Sequence, residues 1–201
     1  MRTCEWNQEH YDGDSYICPE GEKYCLKLFE PHDEELLFEY KCPDTNKKIK
    51  GRVSTKIKYD HHCFTKERGE FDESSVSPTL VVDIYKDGSR KERVFCNKRY
   101  EFAKNLRFTM KNLSYKMCRE SKILGKAIRL EQANQQNPLH GIYIVIKTRP
   151  RSNKMELFVE TAHFRTNEPN EANLRKQPSR FMLILGGWIK SGKKGYSSLR
   201  P

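Results

Sequence analysis

The chain has 201 residues, 36% of them hydrophobic and 32% charged, with ten Tyr, ten Phe and two Trp. That is enough apolar mass for one folded domain and too much for a disordered chain, and no run of about 18 apolar residues is present to cross a membrane as a helix. The formal net charge of +11 favours an anionic partner, nucleic acid first and an acidic protein partner or inhibitor second, through charge spread along the chain rather than gathered in one basic block.

Seven cysteines, an odd number spread over the first two thirds, do not read as a disulfide framework. No basic, apolar and small-residue sequence marks a signal peptide at the N-terminus, so a reducing cytoplasm is the expected location.

Residues 1–31 are polar and turn-rich and read as an N-terminal extension with one short strand near Tyr24–Phe29. A single α+β domain is expected over 32–189, followed by a flexible basic tail at 190–201. Leu36–Cys42 has strand composition. Ile49–Tyr59 alternates strictly, with Ile49, Gly51, Val53, Thr55, Ile57 and Tyr59 on one face and Lys50, Arg52, Ser54, Lys56 and Lys58 on the other. These two runs predict a hairpin with a basic outer ladder. Lys66–Pro78 reads as an acidic loop. Leu80–Tyr85 and Lys91–Cys96 flank an Asp-Gly turn, a second hairpin.

From Tyr100 the period changes. Phe102, Ala103, Leu106, Met110, Leu113 and Met117 make one apolar stripe, which predicts a helix over Lys98–Met117 with Asn97 as its cap. Cys118–Pro138 is ambiguous between helix and strand. Gly141–Thr148 is β-branched and apolar, a central strand, and Met155–Phe164 is the next one. Arg180–Ile189 is expected to close the sheet. The whole predicts an antiparallel sheet of five to seven strands with one main amphipathic helix on one face.

Candidate chemistry concentrates in Tyr59-Asp60-His61-His62-Cys63-Phe64-Thr65. If the strand continues through it, His61 and Cys63 share one face and His62 takes the other. A histidine in a basic cleft transfers protons at a phosphodiester, with Asp60 or Thr65 to orient it. Lys98 and Arg99, beside Tyr100 at a helix start, suit an anion, and Lys56 and Lys58 extend the basic surface. Thr161, His163 and Arg165 alternate onto one strand face, where a hydroxyl, an imidazole and a guanidinium grip a phosphate. Each of these also has a plain structural reading. A zinc set of Cys42, His62, Cys63 and Cys96 is a weaker alternative, because none of them has C-x2-C or H-x3-H spacing. No phosphate loop, dinucleotide fingerprint or serine-hydrolase elbow is present.

Three segments, Y-D-H-H-C-F-T at Tyr59–Thr65, F-C-N-K-R-Y-E-F-A-K-N-L at Phe95–Leu106 and L-F-V-E-T-A-H at Leu157–His163, resemble a family of small, uncharacterised bacterial proteins. In those, a strand ends in an S-H-H-C-F-T-like box, followed by an R-Y-x-x-S-x-x-L helix start and a late V-x-S-A-Y strand. The chain departs from that pattern at Asp60, at Ala103 and Lys104, and at Thr161 and His163. In architectural outline it is also similar to metal-independent ribonuclease toxins of the barnase, EndoU and RelE type, an analogy of fold only.

The lead expectation is a protein acting on nucleic acid, RNA before DNA, as a metal-independent endoribonuclease without a cofactor. His61 or His62 would be its base and His163 its acid, with Arg99 and Arg165 stabilising charge and Thr161 orienting the phosphate. A non-catalytic nucleic-acid or ribonucleoprotein-binding domain and a zinc-stabilised interaction module remain open beside it.

Overall fold

Period-two alternation organises about half of the chain into strands. A computed structural model describes residues 2–69, 77–132, 140–151, 154–166 and 177–199. Most of the expected acidic loop at Lys66–Pro78 and the last part of the ambiguous stretch Cys118–Pro138 lie outside the described residues. The chain begins with β1 (Thr3–Trp6), a small hairpin of β2 (Ser15–Ile17) and β3 (Lys23–Cys25), and a 3₁₀ turn at Lys27–Phe29. The long hairpin of β4 (His32–Lys41) and β5 (Lys48–Tyr59) follows, then a 3₁₀ turn at His61–Cys63, β6 (Thr65–Glu67), and the Asp-Gly hairpin of β7 (Thr79–Ile84) and β8 (Arg90–Phe95). Two helical segments, α1 (Asn97–Ala103) and α2 (Leu106–Lys111), precede β9 (Met117–Glu120), β10 (Lys126–Gln132), β11 (Gly141–Arg151), β12 (Lys154–Arg165) and β13 (Ser179–Arg180). Helix α3 (Phe181–Ser191) and a 3₁₀ helix at Lys193–Leu199 complete it. No helix among the described residues is long and apolar enough to cross a membrane.

Seven strands form a curled sheet in the order β13-β9-β10-β11-β12-β5-β4. All neighbours in it are antiparallel except β12 and β5, which run parallel from Met155↔Thr55 to Val159↔Tyr59. A second sheet, β1-β7-β8-β6, continues from the end of β5. The predicted α+β class holds, with one parallel pair and the second sheet added to it.

The alternation of β5 is realised as read, with Val53, Thr55 and Ile57 buried against Leu36 and Phe38 of β4 and Leu157 and Val159 of β12. A Cβ at Gly51 would overlap the Phe38 ring, so glycine there lets the ring lie over the strand. The main helix expected over Lys98–Met117 ends by Lys111 and is broken at Lys104–Asn105; Met117 already pairs in β9. Cys96, not Asn97, is the capping position. The ambiguous stretch after Cys118 is a strand pair turned at Gly125, which has φ +80°.

Of Arg180–Ile189 only Arg180 joins the sheet, at the end of β13. Phe181–Ile189 lies in α3, which starts at that sheet edge and packs on β4 at the other, so a helix bridges the two edges. Phe181, Leu185, Trp188 and Ile189 are buried in the main core. Gly186 faces the β4 backbone so closely that a Cβ would overlap the Glu39 carbonyl.

The first and last described segments both pack on the domain. β1 pairs with β7 over Thr3↔Ile84 to Trp6↔Val81, and Tyr16 and Phe29 belong to the core, so residues 2–31, expected as an extension, are continuous with the domain. The tail expected to be flexible buries Tyr196 (1% exposed), whose hydroxyl lies 2.5 Å from Thr148 Oγ1. An aromatic ring removes enough apolar surface from water to hold a segment rich in Gly, Ser and Lys.

Candidate functional site

The alternation of β5 stops at Asp60. The Asp60 amide donates to Val159 O at 2.9 Å, and its Oδ1 accepts from the His62 amide at 3.0 Å, capping the 3₁₀ turn His61–Cys63. The strand rule that separated His61 from His62 therefore does not apply. Both imidazoles reach one carboxylate, with His61 Nε2 at 2.9 Å from Asp83 Oδ1 and His62 Nε2 at 2.8 Å from Asp83 Oδ2. Asp83 sits on β7 and is fully buried.

Arg2, just ahead of β1, completes this cage. Its guanidinium pairs with Asp60, lies 3.2 Å from Asp83 Oδ1, and approaches His62 Nε2 at 2.5 Å. Arg93 approaches Asp83 Oδ2 at 3.9 Å while donating to the Thr65 side chain at 2.9 Å and the Thr65 carbonyl at 3.2 Å. Trp6 packs edge-on against His61 at 5.7 Å between ring centres. Burial and the neighbouring His62, Arg2 and Arg93 push His61 down to about 3; burial with Arg93, Arg2 and Arg99 pushes His62 down to about 2. Both rings are neutral at pH 7. Burial also pushes the Asp60 carboxyl up, against the pull of Arg2. Asp60, His61 and His62 offer ligand atoms all within 4.8 Å of one another, an arrangement able to hold a metal ion.

A second constellation adjoins the first. The β11–β12 register shifts between Val145 and Ile146, so that Val145 pairs with Thr161 and Ile146 with Val159, leaving Glu160 as the extra residue of a bulge. Beyond it, Thr161, His163 and Arg165 fall on one face, as their alternation predicts, and touch in series. Arg165 Nε donates to His163 Nε2 at 2.6 Å, and His163 Nδ1 lies 3.1 Å from Thr161 Oγ1. Because a guanidinium only donates, the neutral ring carries its proton on Nδ1 and gives it to Thr161, whose hydroxyl turns to the His62 carbonyl at 3.5 Å. Burial, then Arg99 and Arg165, pushes His163 down to about 4. Arg99 acts on both His62 and His163 and donates to the Thr65 carbonyl at 2.7 Å. An open cleft beside α1 leads to Arg99 and Lys98 past Tyr16, Lys66, Phe95 and Cys96.

The remaining expected residues are placed differently. Tyr100 is buried (6% exposed), donating to the Cys25 carbonyl at 3.1 Å among Phe29, Tyr24 and Phe95, so it is a core residue rather than a stacking platform. Lys58 pairs with Glu156 at 2.9 Å, and Lys56 lies beside Asp33 and Glu156 in the strand register. Further down β5, Lys48 and Lys50 face Glu39 and Arg52 faces Glu35, so the basic ladder is interleaved with acids of β4. The zinc set does not converge. Antiparallel pairing of β4 with β5 puts Cys42 at the opposite end of the hairpin from His62, and the Cys63 thiol is buried against Val159 O at 3.6 Å, its ionisation pushed far up by burial.

Asp83, Arg2 and Arg93 escaped the sequence reading. The available signal was Asp83 itself, a carboxylate at an inward-facing position of the apolar strand Leu80–Tyr85, a place a charge occupies only when paired.

The YjaZ family model matches residues 13–189. The chain belongs to the YjaZ family. In this YjaZ-family chain the match takes in His61, His62, Asp83, Arg99, Thr161, His163 and Arg165, and it begins after Arg2 and β1. No curated protein and no solved structure matches it.

Proposed function

We propose that this protein acts on RNA, with Arg99, Thr161, His163 and Arg165 as its phosphodiester site and His163 as the residue that moves the proton. One observation carries this reading: a neutral imidazole of fixed tautomer, half-buried beside a hydroxyl and under the influence of two guanidiniums. An incoming phosphate draws Arg165 onto its oxygens, and the lone pair of His163 Nε2 is released. That nitrogen then takes the proton of a ribose 2′-hydroxyl as it attacks phosphorus. The P–O5′ bond breaks, and the imidazolium returns the proton to the departing oxygen. Arg99 and Arg165 offset the extra negative charge of the pentavalent state. The two negative charges brought by substrate and transition state raise the basicity of His163 from its depressed value when it is needed.

In this reading His61 and His62 are not the acid and base. Their Nε2 atoms are engaged by Asp83, and their burial keeps them neutral. They fix the turn whose His62 carbonyl receives the Thr161 hydroxyl.

The test is cleavage of total RNA by purified protein in EDTA, with His163→Ala and Arg165→Ala alongside. Cleavage by the wild type and its loss in His163→Ala support the assignment; equal cleavage by both removes His163 from it. A second reading, RNA binding without cleavage, is favoured by the capping of His163 Nε2 by Arg165 in the free protein. No cleavage by any protein, with affinity that falls steeply as salt rises and drops again in Arg99→Ala, supports that reading.

A further inference from the structure

We infer that Asp60, His61, His62 and Asp83 form a divalent metal site of mixed nitrogen and oxygen ligands, and that the guanidinium of Arg2 holds the cation's place when the metal is absent. The inference is separate from the RNA reading and needs no catalysis.

Two neutral imidazoles and two carboxylates carry a formal charge of −2, which matches a divalent ion, and this donor combination suits Zn²⁺, Mn²⁺, Fe²⁺ or Co²⁺. The spacing also fits. Ligands at about 2.0–2.1 Å from a tetrahedral metal stand about 3.3 Å apart. In the cage His61 Nε2 and His62 Nε2 lie 2.9 and 2.8 Å from the two Asp83 oxygens, His62 Nε2 lies 4.0 Å from Asp60 Oδ1, and one ligand atom each of Asp60, His61 and His62 lies within 4.8 Å of the others. These separations lie on either side of the edge of a metal tetrahedron, so small side-chain rotations bring the four residues onto one ion.

The second observation is Arg2. A single positive group contacts Asp60, Asp83 and His62 together, so it occupies the point where their ligand atoms converge. Two carboxylates hold this cation beside His62 Nε2, which also faces Asp83. That nitrogen cannot both donate to Asp83 and accept from Arg2, so one of the two contacts goes without a proton of its own. A metal removes the conflict, since the lone pair of a neutral imidazole ligates it directly. Arg2 is also the movable member: its side chain is 25% exposed against 4% for Asp60 and 0% for Asp83. It stands outside β1, whose four-residue pairing with β7 over Thr3–Trp6 does not include it, so the guanidinium can swing out while that pairing stays. The turn carrying His61 and His62 is fixed by backbone hydrogen bonds and by the Asp60 cap, which keeps both rings pre-oriented without metal.

The experiment is titration of the metal-stripped full chain with Co²⁺, read by visible absorbance, and with Zn²⁺, read by calorimetry. Wild type is compared with Arg2→Ala and Arg2→Met, the second retaining the apolar stem should the first fold poorly. Loss of the competing cation should tighten binding at least about tenfold in either variant, with a Co²⁺ spectrum of nitrogen and oxygen ligation. Placing His62→Gln or Asp83→Asn in the Arg2→Met background should abolish that spectrum while circular dichroism stays native. Binding no tighter than wild type in both Arg2 variants, or a Co²⁺ spectrum that survives His62→Gln, overturns the inference. RNA cleavage does not enter the readout, so the failure of either proposal is visible without the other.

Discussion

Arg165 Nε donates a 2.6 Å hydrogen bond to His163 Nε2. This one contact fixes the tautomer of His163, closes its basic nitrogen in the free protein, and makes an arginine the first group an anion meets. Nitrogen-15 NMR of the ring at pH 7 should show the neutral form with its proton on Nδ1. In Arg165→Ala the titration midpoint should move up from about 4 toward the ordinary histidine value, because a cation leaves and water gains access to the ring. Inorganic phosphate added to the wild type should move it the same way. A midpoint that ignores both changes would remove Arg165 from the site.

Stability should fall with acid earlier than carboxylate titration alone requires. His61, His62 and His163 are all held below the usual histidine value of 6.5, at about 3, 2 and 4. Between pH 6.5 and about 4 the unfolded chain binds protons at these rings and the folded chain does not. Unfolding free energy therefore rises with pH in that window and is lost as pH drops through it, by up to about 1.4 kcal/mol per ring per pH unit. His163→Gln should flatten the slope of Tm against pH between 6.5 and 4 by roughly one ring's share. An unchanged slope would mean that His163 titrates alike in both states.

Gly186 and Gly187 are adjacent in α3 and should behave oppositely. A Cβ at Gly186 overlaps the Glu39 carbonyl of β4, whereas at Gly187 it meets nothing within 4 Å. Gly186→Ala must push α3 off the sheet edge and should cost about 3 kcal/mol in urea unfolding. Gly187→Ala should be neutral or stabilise by up to about 1 kcal/mol, through helix propensity alone. Equal effects would mean that α3 does not close the gap between the two sheet edges.

This pair also shows where the sequence was legible. Strands β4, β5, β7, β8, β11 and β12 follow from alternation or β-branched runs because each presents a face or a pair of faces to the core. The row Thr161, His163 and Arg165 followed from the same rule. Helix α3 did not. Phe-Met-Leu-Ile-Leu-Gly-Gly-Trp-Ile is apolar on every side, including its solvent-facing side at Leu183 (42% exposed), and such a run has no period to separate helix from strand. The histidine turn failed for a different reason. Alternation continued past Tyr59 puts His61 and His62 on opposite faces, but Asp60 caps a 3₁₀ turn there and the two rings share one carboxylate. Asp83 lies more than twenty residues away on another sheet, and nothing local in the histidine box points to it.

The outer cations of β5 should matter little to RNA affinity. Lys58 is paired with Glu156, and the acids of β4 interleave with the rest of the ladder. Exposed pairs of this kind contribute little, and a lysine already neutralised has less to offer a phosphate. Lys58→Ala should change RNA affinity by less than about twofold, and Arg99→Ala by at least about fivefold at the same salt, counting one phosphate contact with its desolvated partner. Fluorescence anisotropy with a short RNA decides it. A larger loss in Lys58→Ala than in Arg99→Ala would move the interface to the strand ladder.

Asp83 should be the costliest single polar residue of the cage to remove. It faces both imidazole Nε2 atoms at hydrogen-bond distance and Arg2 at 3.2 Å, and has no exposure to water. Asp83→Ala takes the carboxylate from both rings and leaves Arg2 with Asp60 alone, a loss of about 3–5 kcal/mol by analogy with broken buried pairs. Asp83→Asn keeps one acceptor oxygen but turns an amide NH₂ toward the other imidazole, and about 2 kcal/mol is expected. Arg2→Ala leaves Asp60 and Asp83 buried without their shared guanidinium and should cost about 2–3 kcal/mol; it stays milder than Asp83→Ala because Arg93 still approaches Asp83 at 3.9 Å and Asp60 keeps the His62 amide. Asp83→Ala falling below both Asp83→Asn and Arg2→Ala in urea midpoint is the test. A mild Asp83→Ala would mean that the turn His61–Cys63 is held by its backbone and by Asp60, with the shared carboxylate contributing little.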